Sequence, residues 1–248
     1  MEKFYMKLAE RTISVSANFA TTKEFCRDYL LEEVPSEVDI EVNVSLDKIE
    51  SEREMMKKIK EEIFSDAYLE TLAVQREIAE QLPKYGVVLF HGSAVALDGN
   101  VYLFTAPSGT GKSTHARLWR RGVGKRIVMV NDDKPFLGVK EDGSIWVYGS
   151  PWNGKHRLSE NVALPLKGIC ILTQSKENKI QRVSAGDAFC DIYKQTYKKS
   201  TDVQFMNETL HVLGSIMEYP IWKLECNISK EAFRLSYETM TGEKWEEA

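Results

Sequence analysis

Between Val38 and Leu46 the chain alternates without a break: Val38, Ile40, Val42, Val44 and Leu46 are apolar, and Asp39, Glu41, Asn43 and Ser45 are polar. A period of two puts each set on its own face, so 38–46 reads as a half-buried strand, and the alternation over 12–17 reads the same way. Between them Thr21 to Leu31 has the spacing of a short helix with Phe25, Tyr29 and Leu30 inward. From Asp47 to Glu62, Glu and Lys crowd out apolar residues, which suits a solvated helix or a linker. A small strand-helix-strand lobe is therefore expected over 1–64. Ser65 then caps a helix in which Leu69, Leu72, Ala73 and Ala79 keep helical spacing until Pro83 and Gly86 end it, opening a larger domain over 65–248.

The pattern changes at Val87. Residues 87–105 read as a strand, His91-Gly92, a second strand from Ser93 to Leu97, a tight turn at Asp98-Gly99-Asn100, and a third strand to Thr105. Asp-Gly between apolar runs signals a hairpin. A helix follows from about Gly111 to Arg121, stopped by Gly122 and Gly124, and then an apolar strand from Arg126 to Val130 that ends in Asn131-Asp132-Asp133. A second hairpin spans 135–148 around Glu141-Asp142-Gly143, and a turn-rich loop runs from Gly149 to Lys155. Beyond it, 168–173 and 221–226 are expected to be strands, and 185–199, 203–218 and 229–240 helices. An antiparallel hairpin that feeds a strand-loop-helix unit departs from all-parallel alternation, so the expected fold is α/β with a mixed sheet.

The chemistry concentrates in the loop that follows the first hairpin, Ala106-Pro-Ser-Gly-Thr-Gly-Lys-Ser-Thr114. Successive backbone N–H groups of such a turn form an anion nest, and the helix behind it adds the positive end of its dipole. Lys112 adds a mobile charge for β- and γ-phosphates, and the Ser113 hydroxyl stands where a Mg²⁺ bridging them needs an oxygen. A plain capping turn has no use for Lys-Ser-Thr at the helix start. Ser108, Gly109, Thr110, Gly111, Lys112, Ser113 and Thr114 therefore read as the cradle of a nucleoside triphosphate, although Ala106 stands where the consensus loop begins with Gly.

Phosphoryl transfer also needs a metal-side carboxylate and a base or orienting group for the acceptor, which Asp132 and Asp133 can supply from the end of the next strand. Asp-Asp-Lys-Pro is also good turn composition. His91, next to Gly92, can hydrogen-bond one of these carboxylates. His115 and His211 read as structural. Lys155, His156 and Arg157 are either solvated surface or cations that meet the transferred phosphate or an acidic acceptor, and Trp152 is either a substrate contact or a loop anchor.

Composition narrows the setting. The chain has 248 residues, 43% of them hydrophobic, enough for a real core, and a formal charge of −4 that gives no global basic field, so nucleic acid is not an expected partner. Cys26, Cys170, Cys190 and Cys226 show no paired spacing and read as buried thiols of a reducing compartment. The N-terminus lacks the apolar core of a signal peptide, and no stretch approaches the ~18 apolar residues that span a bilayer. No membrane partner and a cytoplasmic location are expected.

With these residues in place, the chain resembles the HPr kinase and phosphoenolpyruvate carboxykinase superfamily, in particular the short HPr-kinase-like proteins of bacteria. The resemblance is carried by His91-Gly92 before a hairpin, Ser108-Gly-Thr-Gly-Lys-Ser113, and Asp132-Asp133 at the end of the next strand. It implies a mixed β-sheet P-loop fold of that type, an ATP–Mg²⁺ site, one carboxylate of Asp132 and Asp133 as general base with the other near the metal, and His91 modulating the base. Lys112 joins these three as catalytic, and Ser113 with Asp132 are the expected metal ligands, the division within the pair being open. HPr kinases proper are longer, with an unrelated N-terminal domain and a second signature toward the C-terminal end that has no match here. Their reverse phosphorylase activity and hexameric assembly are not implied, and homo-oligomerisation stays open.

The expected activity is an ATP- and Mg²⁺-dependent kinase that transfers the γ-phosphate to a hydroxyl, with a Ser of a small protein or peptide as acceptor. The alternatives are a small-molecule kinase, a phosphoenolpyruvate-carboxykinase-like enzyme, and a nucleotide-binding regulatory module without catalysis.

Overall fold

The computed structural model of the chain describes residues 2–59, 62–199 and 201–246. By its internal contacts the chain divides into two units, Met1–Tyr85 and Gly86–Ala248.

The first unit contains β1 (Glu2–Leu8), β2 (Arg11–Ala17), α1 (Ala20–Phe25), β3 (Ile40–Asn43), α2 (Leu46–Lys57) and α3 (Asp66–Gln81). Its sheet has the order β1-β2-β3, antiparallel then parallel. β1 goes beyond the expected strand-helix-strand unit; Phe4, Met6 and Leu8 are its buried alternate positions. β3 is shorter than the alternation over 38–46 suggests, because Ser45 takes the N-cap position of α2.

The charged segment is a packed helix rather than a linker, except for Lys60 and Glu61, which lie outside the described residues. Glu52 of α2 is buried and pairs with Arg76 of α3. Glu70, also in α3, is fully buried and accepts hydrogen bonds from the backbone N–H of Asn18 (2.6 Å) and Phe19 (3.0 Å), the Asn18 amide (2.8 Å) and the Thr22 hydroxyl (2.5 Å). A buried carboxylate holds its place only when its oxygens are satisfied in this way. These contacts tie α3 to the first unit, so the expected boundary at 64/65 falls inside that unit, between α2 and α3. Ser65 caps α3 as expected, accepting from Tyr68 N–H at 3.3 Å.

The second unit runs β4 (Val87–Leu89), β5 (Ser93–Leu97), β6 (Asn100–Thr105), α4 (Lys112–Val123), β7 (Ile127–Asn131), β8 (Phe136–Val139), β9 (Ile145–Tyr148), β10 (Ala163–Gln174), β11 (Lys179–Arg182), α5 (Ala185–Gln195), α6 (Val203–Ile216), β12 (Ile221–Cys226) and α7 (Lys230–Thr241). Among the described residues its sheet has the order β4-β8-β9-β10-β6-β5-β7, with β12 beside β10 and β11 beside β12. The sheet is mixed: β10 is parallel to β6 and β12, whereas β5 is antiparallel to both β6 and β7.

Alternation within β5 and β6 builds two cores. Ala94, Ala96, Val101 and Leu103 face Ile192 of α5 and Val212 of α6 on one side, and Val95, Leu97, Tyr102 and Phe104 face Trp119 of α4 and Phe233 of α7 on the other. Gly122 lies inside α4, and Gly124 ends it. α5 stops at Gln195 rather than running to 199, because Thr196 turns into an isolated bridge with Phe90. Of the four thiols, Cys26 and Cys170 are buried as expected, but Cys226 is half-buried and Cys190 exposed. No helix among the described residues is long and apolar enough to cross a membrane.

The turn after β9 leaves no room for a side chain. A Cβ on Gly149 would overlap the Glu160 carbonyl oxygen and lie 2.9 Å from that of Val130. Gly149→Ala should therefore push the 149–160 loop away from β7 and cost roughly 2–3 kcal/mol, read as a lowered midpoint in chemical denaturation; an unchanged midpoint would show that the loop yields freely.

Candidate functional site

The register of three strands assembles the site. Ser93 pairs with Phe104, and Ala94 with both Leu103 and Asn131, so the start of β5 and the ends of β6 and β7 reach one edge of the sheet together. Three segments meet there: His91-Gly92 entering β5, the glycine-rich loop leaving β6, and Asp132-Asp133 leaving β7. Backbone and side-chain bonds stitch them: Gly92 N–H donates to the Asp133 carbonyl (3.1 Å), the Thr105 hydroxyl to the His91 carbonyl (2.9 Å), and Asp132 N–H to the Leu158 carbonyl (3.1 Å).

In the loop, Ala106 is buried in the core with Phe104 and Trp119, so the methyl at this departure from the consensus packs inward. Gly109 and Gly111 have φ of +81° and +115°, and a Cβ at either would meet open space; the backbone conformation, rather than crowding, requires glycine. Ser108 is exposed, Thr110 and Thr114 half-buried. The first turn of α4 has no side-chain cap and no acidic residue, which leaves its N–H groups facing outward as donors. Lys112 is buried and donates to the carbonyls of Ala106 (2.9 Å) and Pro107 (3.2 Å); burial pushes its ammonium down to about 8, against the pull of Asp133 and Asp132. Gln174, at the end of β10, donates to the carbonyls of Gly109 (3.3 Å) and Thr110 (3.2 Å) and holds the crest of the loop.

The two carboxylates occupy different surroundings. Asp132 is buried; burial raises its pKa, opposed by hydrogen bonds from the hydroxyls of Ser93 (2.6 Å) and Ser113 and by the charge of His156. Asp133 is half-buried; burial pushes it up too, but the hydrogen bond from His91 and the nearby charges of Lys134 and His91 outweigh burial and leave it below the usual carboxylate value. His91 Nε2 lies 3.4 Å and Lys134 Nζ 3.2 Å from the same oxygen, Oδ1, so Oδ2 takes part in neither contact.

The other ring nitrogen of His91, Nδ1, is 2.9 Å from Gln195 Oε1. With that oxygen turned toward it, Nδ1 donates, and only the imidazolium also donates to Asp133; with the amide reversed, the neutral ring serves.

Asn131 organises the turn. Its fully buried side chain accepts from the N–H groups of Asp133 (2.8 Å) and Lys134 (2.6 Å) through Oδ1 and donates through Nδ2 to the Ser150 carbonyl (3.1 Å) and hydroxyl (3.0 Å). One amide thus fixes both the direction of the Asp pair and the start of the 149–157 loop. The turn composition of Asn-Asp-Asp-Lys-Pro is therefore realised together with the clustering of the carboxylates. Sequence reading passed over Asn131, although an Asn two and three residues ahead of the N–H groups it binds is a recognised turn signal. Ser93, Gln174 and Gln195 were also missed, and nothing local marks them.

His115 is structural, as expected: it is buried, 2.9 Å from the Ser236 hydroxyl, and burial pushes it down to about 4. His211 is on the exposed face of α6. Trp152 is buried and its carbonyl faces Asn131 Nδ2 at 3.4 Å, which makes it a loop anchor. Lys155, His156 and Arg157 are exposed, and of these His156 borders a cleft of about 410 Å³ that also touches Ser113 and Asp132.

Neither a family model nor a curated protein matches the chain. Among solved structures it is similar to the Hpr(Ser) kinase/phosphatase from Coxiella burnetii, at 13% identity over 62% of this chain and 93% of that one, with a TM-score of 0.32. A likeness of that strength carries no chemistry over to this chain.

The opposite shifts of the Asp pair have opposite consequences for stability. Asp133 is held below its unfolded value, so it stabilises the fold above the ordinary carboxylate range and loses that contribution as pH falls through the lowered value. Asp132 is held above its unfolded value, so its charge costs stability at neutral pH, and the cost fades as pH falls through the raised value. At neutral pH Asp133→Asn should lower and Asp132→Asn raise the melting temperature, each by on the order of 2 °C. Both differences should shrink as pH is lowered through the carboxylate range; melts that shift in the same direction would contradict the split.

Proposed function

We propose that this chain is an ATP- and Mg²⁺-dependent phosphotransferase that moves the γ-phosphate to a hydroxyl, with a Ser of a small protein or peptide as the acceptor. The observation that carries the reading is the convergence, at one sheet edge, of an uncapped glycine-rich loop and helix start with two carboxylates of opposite pKa shift. Groups held apart in this way suit separate tasks in one reaction.

The loop N–H groups from Ser108 to Thr114 cradle the triphosphate, and Lys112 turns from the loop carbonyls to the phosphates. Ser113 and Asp132 would hold the Mg²⁺. Two neighbouring hard oxygen donors fit that ion, which takes its remaining ligands from phosphate and water; among the described residues no cluster of three or more His, Cys, Asp or Glu could hold a metal unaided. When bound, the ion neutralises charge on the phosphates. Asp133 accepts the proton of the acceptor hydroxyl as its oxygen bonds to the γ-phosphorus and the bond to the β–γ bridging oxygen breaks, releasing ADP. His91 and Lys134, both on Oδ1, keep Asp133 ionised and aimed.

A small-molecule acceptor is the second reading, favoured by the 410 Å³ cleft beside Asp132, a size usual for small-ligand sites.

Labelled ATP with Mg²⁺ and a lysate of the source organism should mark a specific acceptor. Asp133→Asn should lower that transfer by about 10²–10⁴ while ATP still binds, and Lys112→Ala should weaken both ATP binding and transfer. Wild-type transfer by Asp133→Asn would remove Asp133 as the base, and wild-type transfer by Lys112→Ala would remove the loop as the donor site.

A further inference from the structure

The cleft beside Asp132 is bordered by two arginines that lie outside the glycine-rich loop. Arg117 and Arg120 of α4 border it, and so does His156, against the single carboxylate of Asp132. Ser113, Arg117 and Arg120 stand at helical spacing on one face of α4, while His115, Ala116 and Trp119 are buried on that helix. The cleft therefore runs along the helix for roughly 10 Å beyond the Ser113 hydroxyl.

Neither guanidinium makes an ion pair or hydrogen bond among the described residues. Arg27, Arg53, Arg76, Arg126 and Arg234 each meet a carboxylate. Arg121, Arg157 and Arg182 are unpaired among the described residues as well, so what sets Arg117 and Arg120 apart is that both border the cleft beside Asp132 and Ser113. The helix dipole accounts for Arg120 and Arg121 in the last turn of α4 but not for Arg117 a turn earlier.

The cleft also has a definite side. The loop rises from β6; its crest is held on the β10 side by Gln174, whereas the cleft is walled by Met129 of β7 and by Leu158, whose carbonyl binds Asp132 N–H. It lies on the flank that carries the Asp pair. A guanidinium pair on that flank, beside the apolar wall of Ala116, Met129 and Leu158, suits planar, multidentate capture of carboxylate or phosphate.

We infer that the cleft binds an anionic group, carboxylate or phosphate, that the phosphoryl acceptor carries close to its hydroxyl, with Arg117 and Arg120 as the specificity-determining residues. This rests on the phosphotransferase reading above. The anion comes either from acidic residues flanking a Ser in a peptide or from a small hydroxy compound, and both place negative charge beside Asp132 and Ser113.

The test measures binding and transfer separately in the full chain. Probes are a fluorescent Ser peptide flanked by Asp, the same peptide flanked by Asn, glycerate and glycerol phosphate as small anions, and Mg·ATP. Wild type should bind at least one of the anionic probes, and Arg117→Ala/Arg120→Ala should weaken that binding at least tenfold while leaving Mg·ATP binding unchanged. Arg121→Ala, which removes an equal charge from the exposed last turn outside the cleft, should change neither. Preference for the Asp-flanked over the Asn-flanked peptide assigns a peptide source, and tighter binding of a small anion assigns a small molecule. Equal anion binding by wild type and the double variant, absence of anion binding in wild type, or a loss of Mg·ATP affinity in the double variant would each overturn the inference. If the anion binds through the two arginines but label never leaves ATP for any acceptor, the phosphotransferase reading falls and the anion subsite stands.

Discussion

Strand β5 is antiparallel to both of its neighbours, so β6 and β7 run parallel to each other without touching, and their ends arrive at the same edge of the sheet. Everything at the site depends on that arrangement. A loop that follows β6 and a pair of acids that follows β7 are brought within reach of each other because one intervening strand, reversed at Asp98-Gly99, sets their register. His91 and Gly92 enter the same edge because they precede β5. The packing of Phe104 and Trp119 on one face and of Val101, Leu103 and Ile192 on the other fixes the sheet that holds this register.

Onto that frame the chain adds a buried amide as its local organiser. Asn131 is satisfied on both ends, by two N–H groups of the acidic turn and by Ser150, and it converts strand register into carboxylate direction. Adjacent, chemically identical side chains then diverge in character. Asp132 goes to a buried pocket with two hydroxyls, and Asp133 to a half-open one with a histidine and a lysine. Burial alone would raise both; the cationic partners of Asp133 reverse the sign for one of them.

The first unit shows where pattern reading stops. Its charged stretch looked solvated because periodicity records which residues are charged and not whether they are paired. Glu52 with Arg76, and Glu70 with four donors around Asn18 and Thr22, are interior groups whose partners stand far away in sequence. The same blindness hid Gln174 and Gln195, which act on the loop and on His91 from distant elements. Cys190 was grouped with the buried thiols for a related reason: residue type is a poor guide to which face of a helix it occupies.

By itself the sequence determined what is local: the Asp-Gly hairpin, the helix start after Gly111, the position of the acids at a strand end, and the glycines of the loop that follows β6. These follow from backbone conformation and side-chain chemistry over a few residues. Only the tertiary structure decided which Asp meets Ser113 and which meets His91, that Asn131 aims them both, and that Arg117 and Arg120 wall a cleft beside them. Those outcomes depend on burial and on contacts between elements, and neither is encoded in the spacing of residues along one segment.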